Sequence, residues 1–217
     1  MGPAYSTRFF VLMMLALASG LLGAFLVIDQ GIATIGNRLR LGDGWIAAVL
    51  HYLSFLSILT NAALVAVYGW YVSGGTWLRW ARHPSLHAFL AALIVLVGVV
   101  WHVLLAPDEG MSFSNIGLHY IAPALFVAWW LLRRPPTPPR FNAVYPLMLL
   151  PLAYAGWLLV RGATTGEYPY GFIDVGAVGY ARSLTWMGAL LLAQLALSLA
   201  FIAVGRWRTV PHPPGDK

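Results

Sequence analysis

The chain has 217 residues, of which 60% are hydrophobic and 9% are charged, with a formal net charge of +6 and a mean hydropathy of +0.75. So little polar surface cannot cover a soluble globule of this length, and the composition therefore predicts an all-α polytopic membrane protein. The absence of cysteine excludes disulfides, thiolate nucleophiles and cysteine-ligated metals. The basic residues form short clusters between apolar runs, which is typical of membrane topology signals and not of nucleic-acid binding.

Six apolar runs follow one another along the chain, and each is long enough to cross a bilayer, which takes about twenty residues. We therefore predict a single domain over residues 1–217, built as a bundle of six transmembrane helices. A signal peptide cleaved near Ala16-Leu17-Ala18 is an alternative for the first run, but that run continues well past the site. The predicted spans are 9–28, 45–71, 86–106, 113–132, 141–160 and 183–204.

The distribution of basic residues predicts an orientation for these spans. With a cytoplasmic N-terminus, nine of the 13 Lys and Arg residues lie in inner segments, including the basic, proline-rich tail 206–217. The positive-inside rule therefore favours a bundle with both termini in the cytoplasm. The nine residues are Arg8, Arg79, Arg82, Arg133, Arg134, Arg140, Arg206, Arg208 and Lys217.

The second predicted span carries polar side chains inside an apolar run, at Ser54, Ser57, Thr60 and Asn61. On one continuous helix this spacing places all four on one broad face, which must point at protein or at a water-filled cavity. Two interpretations stay open for the hydroxyls. They bond to their own backbone or join helices, or one of them is a nucleophile.

A nucleophile of this kind needs a base on another helix, and the fourth span carries His119. At 1.5 Å of rise per residue, Ser57 and His119 would lie roughly 9 and 13 Å below the outer boundary. A neutral imidazole can take the serine proton during attack on an ester and return it to the leaving alcohol. Because no carboxylate falls within the spans, a backbone carbonyl, Asn61, Tyr154 or a neighbouring hydroxyl would orient the imidazole. The amide of Asn61 or the backbone near Pro123 is a candidate oxyanion donor.

The loop before the sixth span contains an aromatic cluster, Tyr168-Pro169-Tyr170-Gly171-Phe172, between Glu167 and Asp174. Such a cluster settles at a membrane interface because its rings are apolar and its hydroxyls are polar. It is either an ordinary interfacial belt or a lid over a cavity between the helices.

Short motifs in order along the chain resemble the androgen-induced-gene (ADTRP-like) family of six-span membrane hydrolases, which has bacterial relatives. The motifs are Phe55-Leu-Ser57, Tyr68-Gly69, Val100-Trp101, Gly117-Leu-His119 and Gly166-Glu-Tyr-Pro-Tyr-Gly-Phe-Ile-Asp174.

This resemblance covers nearly the whole chain and implies a multi-pass protein of a bacterial inner membrane that hydrolyses fatty-acid esters of hydroxy fatty acids. The family's threonine nucleophile falls on Ser57 and its histidine on His119, with Thr60 one turn away as the alternative nucleophile. Membrane lipids are the expected partners, and no metal or cofactor is expected. Supporting or substrate contacts are expected from Asn61, Ser54, His102, Trp101, Tyr154, Tyr168, Tyr170 and Asp174.

Two other functions remain open from the residues alone. In the first, His51, His102 and His119 would bring axial imidazoles to a haem near the outer leaflet. In the second, Ser54, Asn61, Gln194 and the histidines would form a polar midplane site in a lipid-binding protein or transporter.

Overall fold

A computed structural model describes residues 3–76 and 78–209, and every regular element in these two ranges is a helix, which confirms the predicted all-α class. Five helices are long and apolar enough to cross a membrane, and a bent pair of shorter helices is a sixth candidate, which fits a multi-pass membrane protein. The predicted basic tail lies outside the described residues beyond Thr209. We number the helices α1 Pro3–Arg40, α2 Trp45–Tyr52, α3 Leu56–Val72, α4 Pro84–Leu105, α5 Phe113–Leu132, α6 Val144–Thr165 and α7 Val175–Trp207.

The core of the bundle forms around α4, which has the largest buried share among the candidate spans. The two most extensive helix pairings are α1 with α3 and α4 with α7. Small residues such as Ala88 and Ala91 on α4 are fully buried beside Phe89 and Ile94, so neighbouring helices approach closely. Large apolar side chains remain exposed on α1, α6 and α7, as expected for helices whose outer faces contact lipid.

Several predicted boundaries are wrong because the helices extend beyond the apolar runs. The loop predicted over 29–44 is helical as far as Arg40, where α1 ends. The loop predicted over 161–182 shortens to nine residues, 166–174, because α6 continues to Thr165 and α7 begins at Val175. In α7 the helix bends at Gly179, whose φ of 79° only glycine adopts without strain.

The second span is not the continuous helix predicted over 45–71. It breaks between Tyr52 and Leu56, and α2 and α3 meet at 77°. Two tyrosines from other parts of the chain satisfy backbone groups that the break exposes. Tyr154 Oη donates to the Ser54 carbonyl at 2.7 Å, and the Leu56 N–H donates to Tyr170 Oη at 2.9 Å. These bonds hold α3 at its angle because an unsatisfied backbone group inside the bundle would be costly.

A charged network closes the end of the bundle at the 166–174 loop. Glu167 accepts hydrogen bonds from Arg38 of α1 at 2.7 Å and from Arg161 of α6 at 3.0 Å. Arg38 also pairs with Asp43, and His51 Nδ1 lies 3.6 Å from Glu167 Oε2. The carboxylate of Glu167 therefore connects the loop to α1, α2 and α6.

We expect this network to make stability depend on pH. The hydrogen bond from Arg38 holds the pKa of Glu167 below its ordinary value of 4.5. The contribution of this group is therefore present above that value and is lost as the pH falls through the lower folded-state pKa. Glu167→Gln should lower the unfolding temperature at pH 7 by on the order of 1–3 °C, a small change because the carboxylate is partly exposed.

Thermal unfolding between pH 7 and pH 3 checks this prediction. The matched control is Asp29→Asn, since Asp29 accepts a hydrogen bond from the neutral Ser114 hydroxyl at 2.7 Å. The wild type should lose more stability on acidification than Glu167→Gln does. If the wild type and Glu167→Gln lost the same stability on acidification, Glu167 would not be the source of the pH dependence.

Candidate functional site

A cavity of about 200 Å³ lies where α3, α4, α5, α6, α7 and the 166–174 loop meet. Most of its lining is apolar, and none of the described lining residues carries a formal charge. Such a cavity suits the chain of a lipid better than an ionised ligand. The polar residues in the lining are Gln30, Ser57, Asn115, His119, Tyr154, Tyr170 and Gln194.

Ser57 reaches this cavity because of the break in the second span. It is the second residue of α3 and is only 7% exposed. Neither its hydroxyl nor its backbone N–H has a hydrogen-bond partner among residues 3–76 and 78–209. The first N–H groups of a helix lack partners within the helix and carry a partial positive charge. Ser57 therefore presents both a hydroxyl and a donor at the positive end of α3.

His119 lines the same cavity from α5 and is 8% exposed. Its Nδ1 lies 2.9 Å from the Asn115 carbonyl oxygen, which can only accept a hydrogen bond. Nδ1 must therefore carry the proton, and in the neutral ring Nε2 is left with a lone pair. The ring also stacks on Trp101 of α4, with centroids 4.7 Å apart and planes 10° from parallel. These two contacts fix both the tautomer and the orientation of the imidazole.

Trp101 and His119 both lie in π-helical turns, which span 101–105 in α4 and 117–121 in α5. In each turn a backbone N–H bonds five residues back, from Ala106 to Trp101 and from Ala122 to Gly117. Turns of this kind are rare and frequently occur at functional sites. The sequence pattern did not predict them, because a single π turn changes the helical period by only one residue.

Gly98 allows the two helices to approach at this level. A Cβ built on Gly98 would lie 2.8 Å from the backbone oxygen of His119, closer than real Cβ contacts come. Gly98 was not among the residues predicted to form the site. The available signal was an isolated glycine inside an apolar helix, which usually has a packing reason.

Asn61 lies outside the cavity and has a different contact from the one predicted. Its amide nitrogen donates to the Ser57 carbonyl at 2.8 Å and to the Leu118 carbonyl at 3.3 Å. Both amide protons are therefore engaged by backbone carbonyls, and no hydrogen bond joins Asn61 to the His119 ring among the described residues. It links α3 to the π turn of α5 instead, and so connects the two helices that carry Ser57 and His119.

The other two hydroxyls predicted for the polar face of the second span, Ser54 and Thr60, do not line the cavity. Ser54 lies in the break and not on the face of α3 that was predicted for it, and its Oγ donates to the Leu50 carbonyl at 2.7 Å. Thr60 is buried, is not part of the cavity lining, and has no hydrogen-bond partner for its hydroxyl among the described residues. Of the two candidate nucleophiles, only Ser57 lines the cavity.

The 166–174 loop covers the cavity with some of its aromatic residues. Tyr170 and Phe172 stack on each other, with centroids 5.5 Å apart, and both line the cavity. Burial raises the pKa of Tyr170, which therefore stays protonated. Tyr168 instead packs on Gly162, where a Cβ would lie 2.0 Å from its ring, and Asp174 caps α7 by accepting from the Gly176 N–H at 2.8 Å.

The three histidines considered for haem are not equivalent. His119 lines the cavity, whereas His51 lies in the charged network around Glu167, and His102 Nδ1 lies 2.8 Å from Tyr120 Oη on an exposed side of the bundle. Among the described side chains, no group of three or more His, Asp and Glu residues is arranged to hold a metal ion.

No family model, characterised protein or solved structure matches this chain.

Proposed function

We propose that the chain hydrolyses lipid esters within the membrane, with Ser57 as the nucleophile and His119 as the general base. One observation carries the proposal. The same largely apolar cavity is lined by a serine whose hydroxyl has no hydrogen-bond partner among the described residues and by an imidazole whose Nε2 is free to accept a proton. These are the two groups that a covalent ester hydrolysis requires.

The proposed reaction has two steps. First, Ser57 Oγ bonds to the ester carbonyl carbon while its proton moves to His119 Nε2, and the alcohol leaves with that proton as the C–O bond breaks. Second, water adds to the acyl carbon and gives a proton to His119, and the acid leaves as Ser57 regains the proton. The negative charge on the carbonyl oxygen would accept a hydrogen bond from the Ser57 N–H at the positive end of α3.

We propose a fatty-acid ester as the substrate, including esters of hydroxy fatty acids. Leu93, Val97, Leu158 and Met187 in the lining would pack against an acyl chain. The ester carbonyl would lie at the polar side of the cavity, between α3 and α5.

The proposal includes membership of the androgen-induced-gene family and an orientation with both termini in the cytoplasm of a bacterial cell. Two residues from the motifs of that family, Trp101 and His119, are in ring contact, which supports a shared site. The concentration of basic residues at the inner segments supports the orientation, and it would place the 166–174 loop at the outer leaflet.

A lipid-binding or transport role is the second candidate. It is favoured by the amides of Gln30 and Gln194, which line the cavity and have no part in the proposed reaction. The same cavity would then hold a lipid without cleaving it.

Labelling with a serine-reactive fluorophosphonate in native membranes separates these functions. We expect mass spectrometry to find the adduct on Ser57, because its hydroxyl shares the cavity with an imidazole that can accept its proton. Ser57→Ala and His119→Ala should lose the label, and Thr60→Ala, one turn away, should keep it. An adduct on Thr60 would reassign the nucleophile, and no labelling of a folded protein would favour the lipid-binding role.

A further inference from the structure

The two ends of the bundle differ in how their cations are paired. Within the part of the chain that the structure describes, all ion pairs lie at the end near the 166–174 loop and use Asp43 and Glu167. The opposite end is formed by the start of α1 and the ends of α5 and α7, and the charged residues described there are all basic and have no carboxylate partner. A cluster of like charges of this kind is electrostatically unbalanced unless an anion binds it.

Three arginines from three segments gather at that end, around the last turn of α5. Arg8 of α1 donates to the Leu132 carbonyl at 2.7 Å, and Arg208, after α7, donates to the Trp130 carbonyl at 3.2 Å. Arg134 is the second residue after α5 and is exposed. We call Arg8, Arg134 and Arg208 the arginine patch. Burial lowers the pKa of Arg208, and the nearby charges of Arg134 and Arg8 lower it further, which agrees with their proximity.

The neighbouring Arg133 is not part of this patch. Its guanidinium lies over the rings of Trp70, Tyr71 and Trp129 at 5.2 to 5.4 Å. It also lies 2.8 Å from Nδ1 of His87, where it is the donor because guanidinium cannot accept. Arg133 therefore points into the bundle and has partners there, whereas Arg134 is exposed and has no hydrogen bond or ion pair with any described residue.

The surface beside the arginine patch is apolar. Trp207 is 83% exposed, and Phe9, Phe10 and Leu132 are also exposed large hydrophobic residues. Exposed tryptophan is typical of the headgroup level of a membrane, and the other three residues belong to candidate spans. A ligand that fills this region must combine a negative group with alkyl chains.

We propose that the arginine patch binds the headgroup of an anionic phospholipid whose acyl chains lie against the exposed apolar residues of α1 and α5. The lipid phosphate would accept hydrogen bonds from guanidinium N–H groups that the carbonyls of α5 leave free. A zwitterionic lipid fits less well, because no carboxylate among the described residues of the patch is present to receive its ammonium group. The apolar surface favours a lipid over free phosphate.

Native mass spectrometry of the full chain, titrated with phosphatidylglycerol or with phosphatidylcholine of the same acyl chains, tests this proposal. We expect the wild type to prefer phosphatidylglycerol. Arg8→Gln with Arg134→Gln should weaken binding of that lipid by about 25-fold, which corresponds to roughly 1 kcal/mol for each arginine. The matched control is Arg40→Gln with Arg182→Gln, which removes the same charge from exposed arginines nearer the other end.

A single substitution controls for the possibility that the double variant fails to fold. Arg134→Gln breaks no hydrogen bond between described residues and should still weaken the binding about fivefold. Three results would overturn the proposal: no preference between the two lipids, equal weakening by both double variants, or full displacement by millimolar inorganic phosphate. The last result would identify a small-anion site. None of these outcomes depends on whether the protein hydrolyses esters.

Discussion

Ser57→Ala should reduce ester hydrolysis by a factor on the order of 10³ or more, and His119→Ala should reduce it to the same level. The double variant should be no worse than either single variant, because a nucleophile and its base act as one unit and their effects do not add. Ser57→Thr should retain activity because it keeps the hydroxyl. Release of fatty acid from a lipid ester by the purified protein, measured for all four variants, checks this prediction.

Folding must survive for these results to be informative. Ser57→Ala removes an oxygen without a hydrogen-bond partner in the described structure, so little loss of stability is expected. His119→Ala leaves the Asn115 carbonyl without that donor and removes the ring stacked on Trp101, at a cost of about 1–3 kcal/mol. Thr60→Ala is the control and should be mild. Hydrolysis that survived in both Ser57→Ala and Thr60→Ala would contradict the hydrolase proposal.

Gly98→Ala should lower the rate of hydrolysis by roughly 10- to 100-fold, although Gly98 does not line the cavity. The added Cβ would lie 2.8 Å from the backbone oxygen of His119, so α4 and the π turn of α5 must separate. A displacement of a few tenths of an ångström to 1 Å in a catalytic group has an effect of this size. The loss should appear mainly in kcat, and the rate of fluorophosphonate labelling of Ser57 should fall with it.

Gly156→Ala is the matched control, because Gly156 also lies inside a helix and its added Cβ would meet nothing within 4 Å. Alanine favours the helix over glycine by about 1 kcal/mol, so this variant should be active and at least as stable as the wild type. If Gly98→Ala had the same activity as Gly156→Ala, the close approach of α4 and α5 would not position His119.

The break in the second span depends on contacts between residues that are distant in sequence, so the pattern of the span did not predict it. The run 45–71 contains no proline, and its apolar pattern favours one continuous helix. Tyr154 and Tyr170 provide hydrogen bonds to Ser54 and Leu56, and these partners lie about a hundred residues further along the chain. A pattern of neighbouring residues contains no information on such bonds. The break in turn gives Ser57 its place at the start of α3.

The sequence by itself determined the class of the protein and the residue types available for chemistry. Composition and the lengths of the apolar runs give an all-α chain with five or six candidate spans, because twenty apolar residues have few other stable arrangements. The polar residues inside the apolar runs also pointed to Ser57 and His119, and these two residues line one cavity. The tertiary structure alone decided that Thr60 lies outside it and that Asn61 links two helices. The physical reason is that helix length and polarity depend on local composition, whereas the direction of a side chain and the proton on a histidine depend on partners from distant segments.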